Sequence, residues 1–342
     1  MTAHPDTNTR TIRRIGIIGA GAMGTSLASI LSNGAEVVMV IRDRERASQV
    51  SIHGVVLRGL ARAASRPHIV SSIADLRASG SFDAVFVACK TTAIDSVCAE
   101  LAPILQHIGG RAGPPFVISF QNGIEPGRRL MAQLGHARVL RMVLNYGARM
   151  SPDGGVELLC THPPHAVGSL DPALHSMCVT LAALLTRCGI DTVAVDDIEP
   201  LVWFKGIMNA AMNPVAALTD NSVGEVLDSP ARQLVERLID EGLRVAAAEG
   251  IDLGADARER MWVALEAARS HTPSMVEDIR KGRPSEVGQL NMQIVEHAAR
   301  IGIEARDHEL ISMLIDAFDW RVFQQSGLGR ITQRVPSRSG SC

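Results

Sequence analysis

Ile15-Gly16-Ile17-Ile18-Gly19-Ala20-Gly21-Ala22-Met23-Gly24 is the stretch whose reading decides the fold. A short apolar run ends in glycines spaced GxGxxG, and residues 25–33 then carry a helix-like pattern. A second apolar run, residues 36–41, follows as a strand. Strand, glycine loop, helix and strand in this order make a first βαβ unit. The glycines permit a tight turn, close approach of a pyrophosphate to the backbone, and close packing of the helix. The start of that helix offers N–H donors to phosphate oxygens. The stretch therefore predicts a dinucleotide site, with Gly19, Ala20, Gly21, Ala22, Met23 and Gly24 as its phosphate loop.

Further along the chain, residues 84–89 and 116–120 read as strands with helical connections, so the parallel sheet continues past residue 120. Both strands end in polar residues suited to a ligand-facing edge. Residues 138–168 are strand material with a turn at Pro152-Asp153-Gly154-Gly155; 173–188 has helical periodicity and 190–195 reads as one last strand. After Asp196 the pattern is helical, over 198–218, 229–249, 255–269, 285–301 and 308–325. The expected organisation is a cofactor domain over 12–196 and a helical domain over 197–326. A tail at 327–342, which holds arginine, serine and glycine but no acid, is expected to be disordered.

Composition fits a two-domain globular enzyme: 342 residues with 46% hydrophobic content can fill two cores. A net charge of -2 and eleven aromatic residues leave neither a basic footprint nor a stacking platform for nucleic acid. Six scattered cysteines lack paired metal-ligand spacing, so no metal is expected. The first residues lack the apolar core of a secretory signal, and no apolar span is long enough for a membrane helix. The expected compartment is a reducing cytoplasm.

At the end of the second strand, where an NAD site places an acid for the ribose diol, the chain has Ile41 followed by Arg42, with Arg44 close behind. A guanidinium there would meet a 2′-phosphate, so NADP(H) is the expected cofactor. Asp43 offers the competing reading, because a register two residues later would put an acid where NAD wants one. Lys90, directly after an apolar strand, either approaches the phosphate edge of the adenosine or marks the strand's wet end.

In Trp203-Phe204-Lys205-Gly206-Ile207-Met208-Asn209-Ala210-Ala211-Met212-Asn213-Pro214 one cation and two amides recur every four residues in an apolar run. On a helix these lie along one face. A buried polar stripe needs polar partners, so it reads as the wall of a cleft holding a polar ligand, or as interhelical hydrogen bonding in a core. Hydride arriving at a ketone develops charge on oxygen. An ammonium beside it, the role open to Lys205, stabilises that charge and delivers the proton.

The stripe, together with Pro273-Ser274-Met275-Val276-Glu277-Asp278-Ile279-Arg280 and Gly282-Arg283-Pro284-Ser285-Glu286, resembles the ketopantoate reductase (2-dehydropantoate 2-reductase) family over residues 14–325. The resemblance implies an α/β fold, an N-terminal Rossmann-type dinucleotide-binding domain followed by an all-helical C-terminal domain. It implies that Lys205 is the general acid, that Asn209 and Asn213 hold substrate, and that Ser274 binds the substrate carboxylate. Asn122 matches a position reaching both cofactor and substrate, and Glu286 the catalytic glutamate near the nicotinamide ribose. Arg42 and Lys90 match NADP phosphate contacts and Ala148 a backbone contact. From their local sequence alone, Ser274 also reads as a helix-start residue and Glu286 as an acid complementing a helix dipole.

Several positions depart from the family pattern: Gly288 replaces a frequent aspartate, His271 a frequent asparagine, and Ile124 and Glu125 follow Asn122 where a small residue is frequent. The expected activity is NADPH-dependent reduction of 2-dehydropantoate to pantoate, on the route to pantothenate and coenzyme A. The alternatives are reduction of another small 2-keto acid or imine, or NADP sensing without catalysis. A homodimer is compatible with the helical half.

Overall fold

The computed structural model describes residues 11–111, 113–134 and 138–326; the tail expected to be disordered lies outside the described residues. Twelve strands are described: β1 (Arg14–Ile18), β2 (Glu36–Val40), β3 (Val55–Gly59), β4 (Ala63–Ser65), β5 (His68–Val70), β6 (Ala84–Val87), β7 (Phe116–Ser119), β8 (Val139–Val143), β9 (Tyr146–Met150), β10 (Val156–Thr161), β11 (His165–Ser169) and β12 (Thr192–Ala194). The first half also carries helices α1 (Ala22–Leu31), α2 (Arg44–His53), α3 (Ile94–Leu101), α4 (Pro126–Leu134) and α5 (His175–Arg187), and α6 (Glu199–Thr219) follows.

Eight strands form one sheet in the order β12-β11-β8-β7-β6-β1-β2-β5, parallel except where β11 meets β8. The glycine-loop strand β1 sits between β6 and β2, with Ile15 opposite Ala84 on one side and Val37 on the other. From Ile15 onward its neighbours are apolar because helices cover both faces, whereas at the start of the strand Arg14 pairs with Glu36. Val37 and Met39 point into one core with Ile15, Ile17 and Leu27, whereas Val38 and Val40 point into the other with Ile18, Val87 and Ile94.

The strands expected within 138–168 separate into two groups. β8 and β11 join the main sheet, while β9 and β10 join β3 and β4 in a second, four-stranded sheet in the order β4-β3-β10-β9. Strands β3 to β5 were not expected. They are three to five residues long and β3 is bounded by Gly54 and Gly59, both at positive φ, so their apolar alternation is too brief to stand out. The expected turn at 152–155 is where β9 hands over to β10.

Two compact units account for the described residues: one extends through Gly206 and includes Ile251–Leu253, the other holds Ile207–Gly250 and the chain from Gly254. The division thus falls inside α6 and not at Asp196. The physical reason is a small core of Ile198 and Val202 with Val143 and Ala166, which ties the first turns of α6 to β8 and β11.

The second unit is helical throughout its described residues: the rest of α6, then α7 (Val223–Asp228), α8 (Arg232–Ala248), α9 (Ala257–Ala267), α10 (Ser274–Arg280), α11 (Val287–Arg300) and α12 (Arg306–Ser326). The short helix α7 was not expected and is held by a capping box between Ser222 and Glu225, while α10 begins at Ser274, in line with its reading as a helix-start residue. Helix α8 approaches α6 so closely that a β-carbon at Gly242 would stand 2.9 Å from Ile207.

Pro214 lies inside α6 and has no N–H for the carbonyl of Ala210 one turn earlier. Asn291 of α11 supplies the missing donor, its Nδ2 standing 2.7 Å from that oxygen. Asn291 and His308 are fully buried, 3.0 Å apart, and His308 Nε2 is 3.0 Å from the carbonyl of Leu238. With Nδ1 facing the amide, the ring proton sits on Nε2 and donates to Leu238. Burial pushes the His308 imidazole down to about 4.

Candidate active site

Gly19 leaves β1 at φ +118°, and a β-carbon there would stand 2.8 Å from the carbonyl group of Ala88. At Gly24 it would collide with the carbonyl oxygen of Gly19, so the first turn of α1 can lie against the loop only with glycine at both positions. Gly21 is different: a β-carbon there would meet nothing within 4 Å. Gly21 is the N-cap of α1 and brings no side-chain cap, leaving the amides of Ala22 and Met23 to an anion. The hydroxyl of Thr25 donates to the carbonyl of Ala20 at 3.1 Å and braces the loop from below.

Beyond β2, the Arg42 guanidinium is half-exposed and paired with Glu100 of α3 at 2.6 Å. Asp43, the rival candidate, caps α2 by accepting from the amide of Arg46 at 2.7 Å. Lys90 is exposed and sits directly before a short 3₁₀ turn at 91–93, past the end of β6. The next residue, Thr91, is buried and donates its hydroxyl to the carbonyl of Asn122 at 2.9 Å. Lys90 and Asn122 are thus brought together at the carboxyl ends of β6 and β7, the edge where open α/β sheets take ligands. Ala148 lies in β9 opposite Leu158, in the second sheet, which packs beside α1.

Lys205 is partly buried in the second turn of α6 and donates through Nζ to the carbonyl of Leu144, just past β8. Burial, and then the charge of Arg141, lower the lysine to about 8. One residue later α6 reaches the loop after β7: a β-carbon at Gly206 would stand 3.0 Å from Ile124. The bulky Ile124, a departure in the sequence, is accommodated by this glycine and keeps the helix against the Asn122 loop.

That loop rests on a residue the sequence reading passed over. Arg141 in β8 is buried, and its guanidinium donates to Ser119 Oγ at 2.9 Å and to the carbonyls of Gln121 and Gly123 at 2.7 and 2.9 Å. Ser119 passes its own proton to Gln121 Oε1 at 2.8 Å, and Gln121 Nε2 holds the carbonyl of Val87 at 2.9 Å. A cation inside the apolar run Val139-Leu140-Arg141-Met142-Val143 was the available signal.

In the second unit the remaining candidates lie on separate elements. Asn209 is partly buried and Asn213 buried on α6. Ser274 is exposed as the first residue of α10, after Pro273. Glu286 is the N-cap of α11 but makes no side-chain cap; its neighbour Ser285 is drawn to Asp319, which accepts from both its amide and its hydroxyl at 3.1 and 2.7 Å. Gly288 is exposed with open space around it, and the carbonyl of His271 accepts from the amide of Val223 at 3.0 Å.

Among the described residues no group of three or more His, Cys, Asp or Glu is placed to hold a metal ion, and no helix is long and apolar enough to cross a membrane.

Comparison with known proteins gives concordant results. The family model for ketopantoate reductase PanE/ApbA matches residues 15–171, and the model for its C-terminal part matches residues 197–319. A 2-dehydropantoate 2-reductase of Archaeoglobus fulgidus is 28% identical over 89% of this chain and 97% of its own length. Among solved structures, a PanE/ApbA family ketopantoate reductase from Ralstonia eutropha JMP134 aligns with a TM-score of 0.79 at 22% identity, covering 90% of this chain and 99% of that one. D-mandelate dehydrogenase, solved with NADH and anilino(oxo)acetate, aligns with a TM-score of 0.80 at 21% identity and the same coverage. With both family models in sequence order and relatives matched over nearly their whole length, the chain belongs to the ketopantoate reductase family and is an oxidoreductase built around a nicotinamide-dinucleotide fold.

Proposed function

We propose that the protein reduces 2-dehydropantoate to pantoate with NADPH, with Lys205 as the proton donor. The observation that carries this reading is the ammonium of Lys205, partly buried, held by the Leu144 carbonyl and lowered to about 8. An acid poised near neutrality transfers a proton better than an ordinary lysine. The bound reduced nicotinamide would supply a hydride to the ketone carbon. As the carbon–oxygen π pair moves onto oxygen, Lys205 Nζ donates a hydrogen bond and then its proton, leaving an alcohol. One ammonium N–H is aimed at Leu144, and the others serve the oxyanion.

Asn122, whose carbonyl is held by the Thr91 hydroxyl just past β7, is assigned to both cofactor and substrate on the strength of the family resemblance. Asn209 and Asn213 are assigned to the polar groups of the substrate and Ser274 to its carboxylate, on the strength of the family resemblance. Glu286 is assigned on the same ground to the nicotinamide ribose and to the catalytic set, and Ala148 to a backbone contact with the cofactor. Arg42 and Lys90 are assigned to the 2′-phosphate. The preference for NADPH over NADH is supported by Asp43, whose carboxylate caps a helix while the neighbouring guanidinium is half-exposed.

A second reading, reduction of a different 2-keto acid, draws support from Gly288, where open space stands in place of a side chain. Initial rates across a panel of 2-keto acids with NADPH and NADH decide between the two. The first reading fails if another keto acid is turned over strongly and 2-dehydropantoate is not. Lys205→Ala is expected to abolish turnover and leave NADPH affinity nearly unchanged; substantial residual turnover would refute the proton-donor role.

A further inference from the structure

We propose that His165 is a positioning residue for Lys205, acting through the single peptide unit that joins Leu144 to Asn145. Two hydrogen bonds grip opposite edges of that plane. Its carbonyl, on Leu144, accepts from Lys205 Nζ, and its N–H, on Asn145, donates to His165 Nδ1 at 2.9 Å. A peptide unit is planar and stiff, so a rotation at one edge is a rotation at the other. The inference rests on Lys205 being the proton donor, which gives the carbonyl's direction its importance.

The imidazole is well fixed for this role. His165 opens β11, is 2% exposed, and its own amide is held by the carbonyl of Asp191 at 2.8 Å. Its ring stands edge-on to Tyr146, centroids 5.7 Å apart at 81°. The Tyr146 hydroxyl is in turn 3.0 Å from Ser26 Oγ in α1, so the ring is braced from the helix that carries the glycine loop. Asn145 has two further bonds, its carbonyl accepting from the amide of His162 at 2.7 Å and its Nδ2 donating to the carbonyl of Pro164 at 3.2 Å. The first belongs to the next peptide and the second to the side chain, so neither sets the plane between Leu144 and Asn145.

Only a neutral ring can accept at Nδ1, which leaves the ring proton on Nε2, 3.5 Å from Thr161 Oγ1. Neutrality is secured by surroundings in which burial and the charge of Lys205 push His165 down to about 4. The ionisable groups that act on the ring are Lys205, Asp191 and His162; those that act on the lysine are Arg141 and Cys160.

The test uses three replacements. His165→Asn places an acceptor oxygen where Nδ1 stands, His165→Leu removes every polar atom, and His165→Gln keeps the volume and polarity but moves the amide to the Nε2 position. The chain contains three lysines, Lys90, Lys205 and Lys281, so protein labelled with 13C at lysine Cε yields a titration for Lys205 that does not depend on turnover. In the leucine and glutamine variants the Lys205 titration should move to lower pH, because the ammonium loses its fixed acceptor, and kcat should fall about tenfold or more with NADPH affinity unchanged. The asparagine variant should restore both.

The proposal is overturned if folded leucine or glutamine variants titrate and turn over as the parent does, or if the asparagine variant fails as badly as they do, since the role is then packing. Should the leucine variant not fold, the glutamine and asparagine pair decides. Residual turnover in Lys205→Ala refutes the proton-donor reading separately, and the lysine titration then still decides whether His165 orients it.

Discussion

Replacing Arg141 with methionine removes a buried guanidinium that performs two tasks, and the structure gives a direction to each. Its three hydrogen bonds at 2.7 to 2.9 Å end on Ser119 and on the carbonyls of Gln121 and Gly123, which flank Asn122. Each of the two carbonyls stranded without a donor costs about 1–3 kcal/mol. Relief from burying a cation offsets part of that, so the expected net loss is about 2–4 kcal/mol in urea unfolding at pH 7. The second task is electrostatic. Lys205 is lowered first by burial and second by Arg141, so the variant should raise the lysine from about 8 part of the way toward its ordinary value near 10.5. The pH profile of kcat/KM for keto-acid reduction reads this directly. A protonated lysine is required, so the rate is level below the lysine's pKa and declines above it, and the declining limb should move to higher pH in Arg141→Met. A limb that stays in place or moves down would refute the claim that the buried arginine tunes the lysine.

The Arg42–Glu100 pair is half-exposed on both sides and is worth at most about 1 kcal/mol, so Glu100→Gln should release the guanidinium and tighten NADPH binding by up to about fivefold. Arg42→Ala should weaken NADPH far more than NADH; equal effects on the two cofactors, measured by fluorescence titration, would show that this arginine does not read the phosphate. Asn291→Ala should destabilise the protein by about 2–4 kcal/mol in urea, because the Ala210 carbonyl orphaned by Pro214 loses its donor inside a core. A change below about 0.5 kcal/mol would contradict that account. His165 and His308 are both held neutral, with folded values near 4 against 6.5 in the unfolded chain, so the unfolded state takes up more protons between those limits. Stability should therefore fall as pH drops from 6.5 toward 4, by up to roughly 3 kcal/mol for each ring. His308→Gln should flatten that slope, as followed by unfolding midpoints across the range.

Much of the fold was legible because it rests on patterns that repeat. The run from Ile15 to Gly24 could be read as strand, loop and helix start since apolar periodicity and glycine spacing are local properties. The structure adds why two of those glycines are obligatory: Gly19 lies against Ala88, and Gly24 against Gly19. The second sheet escaped notice because β3 to β5 are too short to show alternation, and because β10 pairs with β3 across a long separation in sequence. The division inside α6 was equally invisible. Nothing in the helical pattern of 198–218 records that Ile198 and Val202 pack with β8 and β11 while Ile207 packs against α8.

The candidate residues divide along a different line, between those proposed to meet a ligand and those that hold backbone groups in place. Lys205 with Asn209 and Asn213 stood out because polar side chains repeating on an apolar helix are unusual by themselves. Arg141, His165 and Asn291 act on carbonyls and amides, which are present at every position and carry no sequence signal. Their roles depend on which backbone groups the fold leaves without a partner. Pro214 shows a case where such a vacancy can be foreseen: a proline within a helix orphans the carbonyl one turn back, and a buried amide elsewhere must answer it, as Asn291 does for Ala210. The same accounting applied to a lone arginine in an apolar strand would have singled out Arg141, since a buried guanidinium has five N–H groups to satisfy and here collects carbonyls. No equivalent argument reaches His165, because its task exists only once Leu144 has been engaged by a lysine that lies 61 residues away in the chain.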